Sequence, residues 1–273
     1  MQALRTYFAG IDAGSTYTKG ALVDDRGALV ETTVDMTGIN IVTATKKAYA
    51  QLLEKAGVSE GQVAYVIGTG YGRYRITFGN TQVTEISCHA KGAHALFPGT
   101  RTVLDMGGQD TKAIRVNDRG EVVDFCMNDK CAAGTGRFIE GSARVLGLSL
   151  KQVGTLSMNS SNPVKVSSTC AVFAETETQE QLAWGNKLED VLYGIHVSIA
   201  TRSIGLLRRV GIDPEITFTG GVSQNPGMIR CLEEQLGQKL NTSPLTNFCG
   251  ALGAALFARE KYENTTGTGR SAA

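Results

Sequence analysis

Along the N-terminal part of the chain, apolar positions fall into short runs separated by glycine turns, then into stretches where they recur every three or four residues. The runs at 7–11, 19–23 and 28–34 predict three strands, with Asp24-Asp25-Arg26-Gly27 turning the second hairpin. Helical spacing across 42–56, ended by Gly57, predicts a helix; 63–68 predicts a further strand, and 84–97 a second helix halted by Pro98-Gly99. The pattern then restarts. Residues 101–104, 111–116 and 122–127 predict another three-strand meander. Asp12 and Lys19 flank the first turn, and Asp105 and Lys112 flank its counterpart at an offset of 93 residues (105 less 12, 112 less 19). A repeat of that length predicts duplicated domains rather than a solenoid.

Beyond the second meander, helices are predicted at 136–146 and 171–184, joined through a short strand at 163–166. A long helix follows over 188–210, with Leu188, Val191, Leu192, Ile195, Ile199, Leu206 and Leu207 at helical spacing. Residues 215–219 read as a strand into Gly220-Gly221, 228–236 as a helix, Leu240 begins a short strand, and 250–261 is a last helix. The expected divisions are a first domain over 1–99, a second over 100–246, a helix at 247–262 that returns to the first domain, and a small, polar, disordered tail at 263–273.

Composition narrows the function classes. The 273 residues are 42% hydrophobic and 19% charged with a net charge of +1, an ordinary globular balance. No basic block points to nucleic acid, and no apolar run approaches a membrane span. The first residues, Met1-Gln2-Ala3-Leu4-Arg5, have no signal-like apolar core, so a cytoplasmic location is expected. The six cysteines are too sparse for a disulfide scaffold and are expected to be reduced.

Three glycine turns each follow a predicted strand: Asp12-Ala13-Gly14-Ser15-Thr16, Asp105-Met106-Gly107-Gly108-Gln109 and Thr219-Gly220-Gly221-Val222. Taken singly they are ordinary turns. Taken in this order, two acidic turns from a duplicated domain supply N–H groups that can grip a polyphosphate, with aspartates placed to hold a hydrated magnesium ion. Lys19 can neutralise charge on the β- and γ-phosphates, and the third turn would border the nucleoside. There is no G-x-x-x-x-G-K-[ST], and no G-x-G-x-x-G opens a helix after the first strand, which excludes a P-loop and argues against a dinucleotide fold.

Cys131 and Cys170 each stand where a helical pattern begins, and helix N-termini favour thiolates and anions. Two readings follow from spacing alone: inert buried cysteines, or ligands of an anionic cluster. A cubane cluster takes four thiolates, so two per chain would need a symmetric dimer. Cys126 could pair with Cys131 but reads better as a small hydrophobe. Cys88, His89, Cys231, Cys249 and Trp184 read as packing residues, His94 and His196 as ordinary helix-face residues, and Arg202, Arg208 and Arg209 as a solvated face.

The three turns resemble the phosphate and adenosine motifs of the acetate and sugar kinase, Hsp70 and actin superfamily. The run Asn-Asp-Lys-Cys-Ala-Ala-Gly-Thr-Gly at 128–136, with 168–175, 70–73 and 85–90, resembles more narrowly the activator ATPases of 2-hydroxyacyl-CoA dehydratases and benzoyl-CoA reductases, over about 9–258. The fold that this implies is α/β: duplicated ribonuclease H-like domains of the actin/Hsp70 type, with mixed five-stranded sheets flanked by helices. The resemblance also implies a homodimer bridging one [4Fe-4S] cluster through Cys131 and Cys170 of each subunit. ATP or ADP would meet Ser15, Thr16, Tyr17, Thr18, Lys19, Gly107, Gly108, Gly220, Gly221, Asn247 and Gly250. Asp105 and Gln109, assisted by Asp12, would orient Mg2+ and the attacking water. An electron from ferredoxin or flavodoxin would pass to an iron-sulphur acceptor: a 2-hydroxyacyl-CoA dehydratase, a benzoyl-CoA-type reductase or a double-cubane cluster protein. The rivals are a sugar kinase of the same fold whose cysteines only pack, and a nucleotide-dependent binding switch.

Overall fold

A computed structural model describes residues 6–128, 132–166 and 171–267. In chain order the elements are β1 (Tyr7–Ala13), β2 (Tyr17–Asp24), β3 (Leu29–Met36), α1 (Ile41–Ala56), β4 (Val63–Thr69), β5 (Thr81–Gln82) and α2 (Glu85–Leu96). Then follow β6 (Thr102–Met106), β7 (Thr111–Val116), β8 (Val122–Asn128), α3 (Gly136–Val145), α4 (Leu150–Ser157), α5 (Ala171–Ala183) and α6 (Leu188–Val210). The last elements are β9 (Ile216–Thr219), α7 (Pro226–Leu236), β10 (Leu240–Asn241) and α8 (Cys249–Thr266). The described residues fall into two compact units. One holds the chain up to Pro98, Arg119–Glu121 and everything from Phe248 on; the other holds Gly99–Asp118 and Val122–Asn247.

Each unit is built on a mixed five-stranded sheet, ordered β3-β2-β1-β4-β5 in the first and β10-β9-β6-β7-β8 in the second. The first strand of each meander, β1 or β6, is central, antiparallel to the next strand and parallel to a later one. These two strands are covered on both faces, which is why they read as unbroken apolar runs.

In the first unit, Leu52 of α1 packs over Ile11, Leu22 and Val66 on one face, and α8 closes the other over Phe8, Val23, Ile67 and Cys88. Asn40 caps α1 by accepting from Thr43 N at 3.1 Å, and Gly57 ends it in the left-handed region at φ 64°. The second unit packs around α6, whose Leu192, Ile195, Ile199 and Leu207 meet Leu104, Phe138 and Phe218. Burying each such leucine contributes about 1.5–3 kcal/mol.

Three expectations need correction. Residues 163–166 form no strand; Val164 donates one bond to the Asp190 carbonyl, while the Asp190 carboxylate accepts from Ser160 Oγ and from the amides of Ser161 and Asn162. That carboxylate carries the turn, and its pKa is lowered, first by the Asn162 amide and then by the Ser160 hydroxyl. Next, α8 runs to Thr266, four residues into the stretch expected as a tail at 263–273. An Arg259–Glu263 pair at 2.9 Å and the Tyr262 ring against Phe8 hold its last turns, and Gly267 caps it at φ 67°. Finally, Trp184 is not a buried packing residue among the described residues; it is 70% exposed. The helix α4 is also absent from the predicted elements, although Ser149 and Gln152 form a capping box at its start.

Candidate functional site

Strand register places the acidic turns. In the first unit Asp12, one residue before the end of β1, lies opposite Lys19 on β2 and opposite Thr69 on parallel β4. In the second, Asp105 lies opposite Lys112 on β7 and opposite Thr219 on parallel β9. All six side chains are buried. Each threonine is followed by a glycine in the left-handed region, Gly70 at φ 90° and Gly220 at φ 86°. A Cβ on either glycine would strike the aspartate of its own unit, Oδ1 of Asp12 or Oδ1 of Asp105. The units thus share one frame: an aspartate, a cross-strand lysine, and a Thr-Gly corner closing over the carboxylate.

The two frames are wired differently. Lys112 Nζ bridges Asp105 at 3.4 Å and Asp110 at 2.8 Å, and Thr219 Oγ1 donates to Asp105 Oδ1 at 2.9 Å. Lys19, at the equivalent register, forms no ion pair among the described residues, which leaves its ammonium for an incoming anion. In the 13–17 turn, Thr37 Oγ1 donates to the Gly14 carbonyl at 2.8 Å, and the Thr37 amide donates to the Thr16 carbonyl at 2.9 Å. Thr16 Oγ1 is buried with no partner. Ser15 is half-buried, Tyr17 exposed and Thr18 buried against Thr37.

In the second unit, the Gly107 amide donates to the Asp110 carbonyl at 2.9 Å and closes the turn. The start of α3 is bonded to this turn: Gly136 N donates to Gly107 O and Arg137 N to Gly108 O, each at 2.9 Å, and Thr111 Oγ1 donates to Gly134 O at 2.7 Å. Gln109 is exposed at the turn's tip. Gly220 and Gly221 adjoin the segment before α8: Gly220 N reaches Thr246 O at 3.3 Å, and a Cβ on Gly221 would sit 3.9 Å from Asn247 Oδ1. That Oδ1 is also buried without a partner. Two unpartnered buried oxygens, Thr16 Oγ1 and Asn247 Oδ1, therefore fall on residues the sequence marks for nucleotide.

Gly250 belongs to the first unit, where a Cβ would lie 2.7 Å from Asp12 Oδ2 and 2.8 Å from His89 Nε2. From the sequence, His89 reads only as a packing residue, Thr69 draws no notice, and Thr219 appears only as the first residue of the third glycine turn. The signal of the two threonines is a Thr-Gly pair closing an apolar strand, but the pairs are 150 residues apart (219 less 69) rather than 93, because α3 to α6 intervene in the second unit.

Cys131 and Cys170 lie outside the described residues. Their flanks are described: α3 begins at Gly136 and α5 at Ala171, directly after Cys170. Of the other thiols, burial pushes Cys88 up to about 12 and Cys231 up to about 11, so both stay protonated. Cys249 is fully buried, and Cys126 packs against the second core with Arg209 Nη1 3.9 Å from its sulphur. Among the described residues, no group of three or more His, Cys, Asp or Glu side chains could hold a metal, and no helix is long and apolar enough to cross a membrane.

Comparison with known proteins places the frame. The (R)-2-hydroxyglutaryl-CoA dehydratase activating ATPase of Acidaminococcus fermentans is 43% identical over 256 residues, 93% of this chain and 98% of that protein. The activator of lactoyl-CoA dehydratase of Anaerotignum propionicum is 41% identical over 254 residues, again 93% of this chain and 98% of that protein. The activator of the 2-hydroxyisocaproyl-CoA dehydratase from Clostridium difficile, solved with bound ADPNP, superposes with a TM-score of 0.91 at 36% identity, over 98% of this chain and all of that one. A ROK family glucokinase from Streptomyces griseus, at 14% identity, 93% and 99% coverage and a TM-score of 0.59, shares the fold alone. The two mixed sheets are the duplicated ribonuclease H-like domains of the actin, Hsp70 and sugar kinase type. The model of the BadF/BadG/BcrA/BcrD ATPase family matches residues 9–258, and the chain belongs to that family.

Proposed function

We propose that the protein is an ATP-dependent activator that passes single electrons, at low potential, from ferredoxin or flavodoxin to an iron-sulphur partner such as a 2-hydroxyacyl-CoA dehydratase. Ser15 to Lys19 and the Gly107-Gly108 turn take the phosphates, while Gly220, Gly221, Asn247 and Gly250 border the nucleoside. Lys19 neutralises phosphate charge. Asp12 and Asp105 hold the hydrated Mg2+, and Gln109 orients the attacking water. The unpartnered oxygens of Thr16 and Asn247 and the unpaired ammonium of Lys19 suit a polyanionic, hydrogen-bonding ligand.

Cys131 and Cys170 of each subunit in a homodimer would hold one [4Fe-4S] cluster; the thiolate donor set fits that group, and α5 begins directly after Cys170. When bound, the cluster supplies a one-electron couple. The observation that carries the coupling is the pair of bonds from Gly136 N and Arg137 N to Gly107 O and Gly108 O. These tie the start of α3, five residues after Cys131, to the turn assigned to phosphate. A change in that turn on hydrolysis would therefore move the segment that carries the thiolate.

The test is anaerobic: iron and sulphide per dimer, and the EPR spectrum of dithionite-reduced protein with and without MgATP. About four irons per dimer and a nucleotide-dependent signal support the proposal. Protein that takes up no iron on reconstitution overturns it.

A further inference from the structure

Three elements of the first unit converge on the carboxylate of Asp12. β1 carries the aspartate and presses on α8, where a Cβ on Gly10 would strike the Ala251 carbonyl. α2 and α8 meet through a reciprocal pair of glycines: a Cβ on Gly92 would strike the Cys249 carbonyl, and one on Gly253 the Cys88 carbonyl. Packing this close needs residues without side chains at both crossing points, as found where helix backbones approach directly. The consequence appears one residue along each helix, at His89 and Gly250. His89, buried, brings Nε2 and Asp12 brings Oδ2 into the space above Gly250, at 2.8 and 2.7 Å from the Cβ that glycine lacks. An alanine at 250 would drive both groups away.

The second unit orients its aspartate with the Thr219 hydroxyl and the Lys112 ammonium. In the first unit the cross-strand lysine makes no such pair among the described residues, and an imidazole stands at the carboxylate instead.

We propose that His89 is a positioning residue for Asp12: its Nε2–H faces the carboxylate and fixes which oxygen is presented to the nucleotide's hydrated metal. This rests on the role given to Asp12 under the proposed function. It is the arrangement by which outer groups set the orientation of a carboxylate that serves a metal. The proton sits on Nε2 because a carboxylate can only accept.

The first measurement needs no turnover. In full-length protein labelled with 15N-histidine, the three histidines are assigned by single substitutions, and long-range 15N–1H spectra read each tautomer. His89 is expected as the Nε2–H form, and Asp12→Asn is expected to shift its ring resonances while leaving those of His94 and His196 in place. An Nδ1–H tautomer, or a His89 signal indifferent to Asp12→Asn, overturns the proposal.

The second is kinetic. His89→Leu is expected to lower kcat for ATP hydrolysis by about 10-fold or more with KM for ATP unchanged. His89→Gln, which keeps an N–H near the Nε2 position, is expected to recover most of the loss. On an Asp12→Asn background, His89→Leu is expected to cost nothing further. Equal losses in Leu and Gln variants, or additive losses with Asp12→Asn, would make His89 a packing residue only. Wild-type protein that lacks ATPase activity would refute the proposed function and leave the spectroscopic result to decide the positioning.

Discussion

His196 sits wholly inside the second unit, and neither ring nitrogen has a hydrogen-bond partner. Tyr193 meets it edge-on at 6.4 Å, and the backbone of Gly227 lies against the ring. Burial pushes its pKa down to about 4, so the folded chain keeps the ring neutral. Below its ordinary pKa of about 6.5, the unfolded chain takes up a proton that the folded chain refuses. The contribution is therefore complete above about pH 6.5 and is lost as pH falls toward 4, at most about 3 kcal/mol over that window. Urea unfolding of wild type and His196→Leu at pH 7 and pH 5 checks this: the wild type is expected to lose the greater stability on acidification, and equal losses would remove His196 as the cause. At the Thr-Gly corners the limiting quantity is space. Gly220→Ala is expected to lower nucleotide affinity about 10-fold or more and to cost about 1–2 kcal/mol, since it combines a left-handed φ with a Cβ 2.7 Å from Asp105 Oδ1. Titration with a fluorescent ATP analogue and thermal unfolding measure the two effects.

At the scale of elements, the helices whose ends carry chemical signals are the ones the sequence places well. α1 begins behind an Asn40 cap and ends at Gly57, and α6 matches its expected span of 188–210 because one apolar stripe continues along it. α4 is short, and its capping box is its main mark, so periodicity alone passes over it. The strand expected at 163–166 fails for a different reason: apolar Val164 and Val166 suit a strand, but this segment is held by Asp190 and finds no strand to pair with. Tertiary contact also extends α8, where the Tyr262 ring and the Arg259–Glu263 pair outweigh a polar composition. The α2–α8 crossing was not legible at all, because a close backbone contact is written only as glycines with no periodic sign. Gly253→Ala tests it directly. Alanine is the better helix former by about 1 kcal/mol, yet its Cβ would meet the Cys88 carbonyl, and overpacking of that kind costs about 1–3 kcal/mol. A net loss in thermal unfolding is expected; a gain would mean that the helices part at no cost.

At the scale of the molecule, the duplicated frame was legible because Asp12 with Lys19 and Asp105 with Lys112 keep one offset, and strand register then makes each pair direct neighbours. Duplication also sets what must be separable. The turns that would hold nucleotide rest on strand pairing and buried glycine corners in both units, whereas Cys131 and Cys170 lie ahead of α3 and α5 in the sequence. Loss of a thiol should therefore leave the nucleotide frame intact. Cys131→Ala, purified and reconstituted without oxygen, is expected to bind no iron, to keep the affinity of the wild type for ADPNP within about 2-fold, and to unfold within a few degrees of the apo wild type. Substitution of buried Cys231 by alanine is the control: its thiol is held protonated by burial, so iron content is expected to be unchanged while stability falls by about 1–2 kcal/mol. Iron retained by Cys131→Ala would take the cluster away from that residue. Iron lost together with ADPNP binding would instead show that thiol and nucleotide sites form one folding unit, coupled through the start of α3 and its bonds from Gly136 and Arg137 to the Gly107-Gly108 turn.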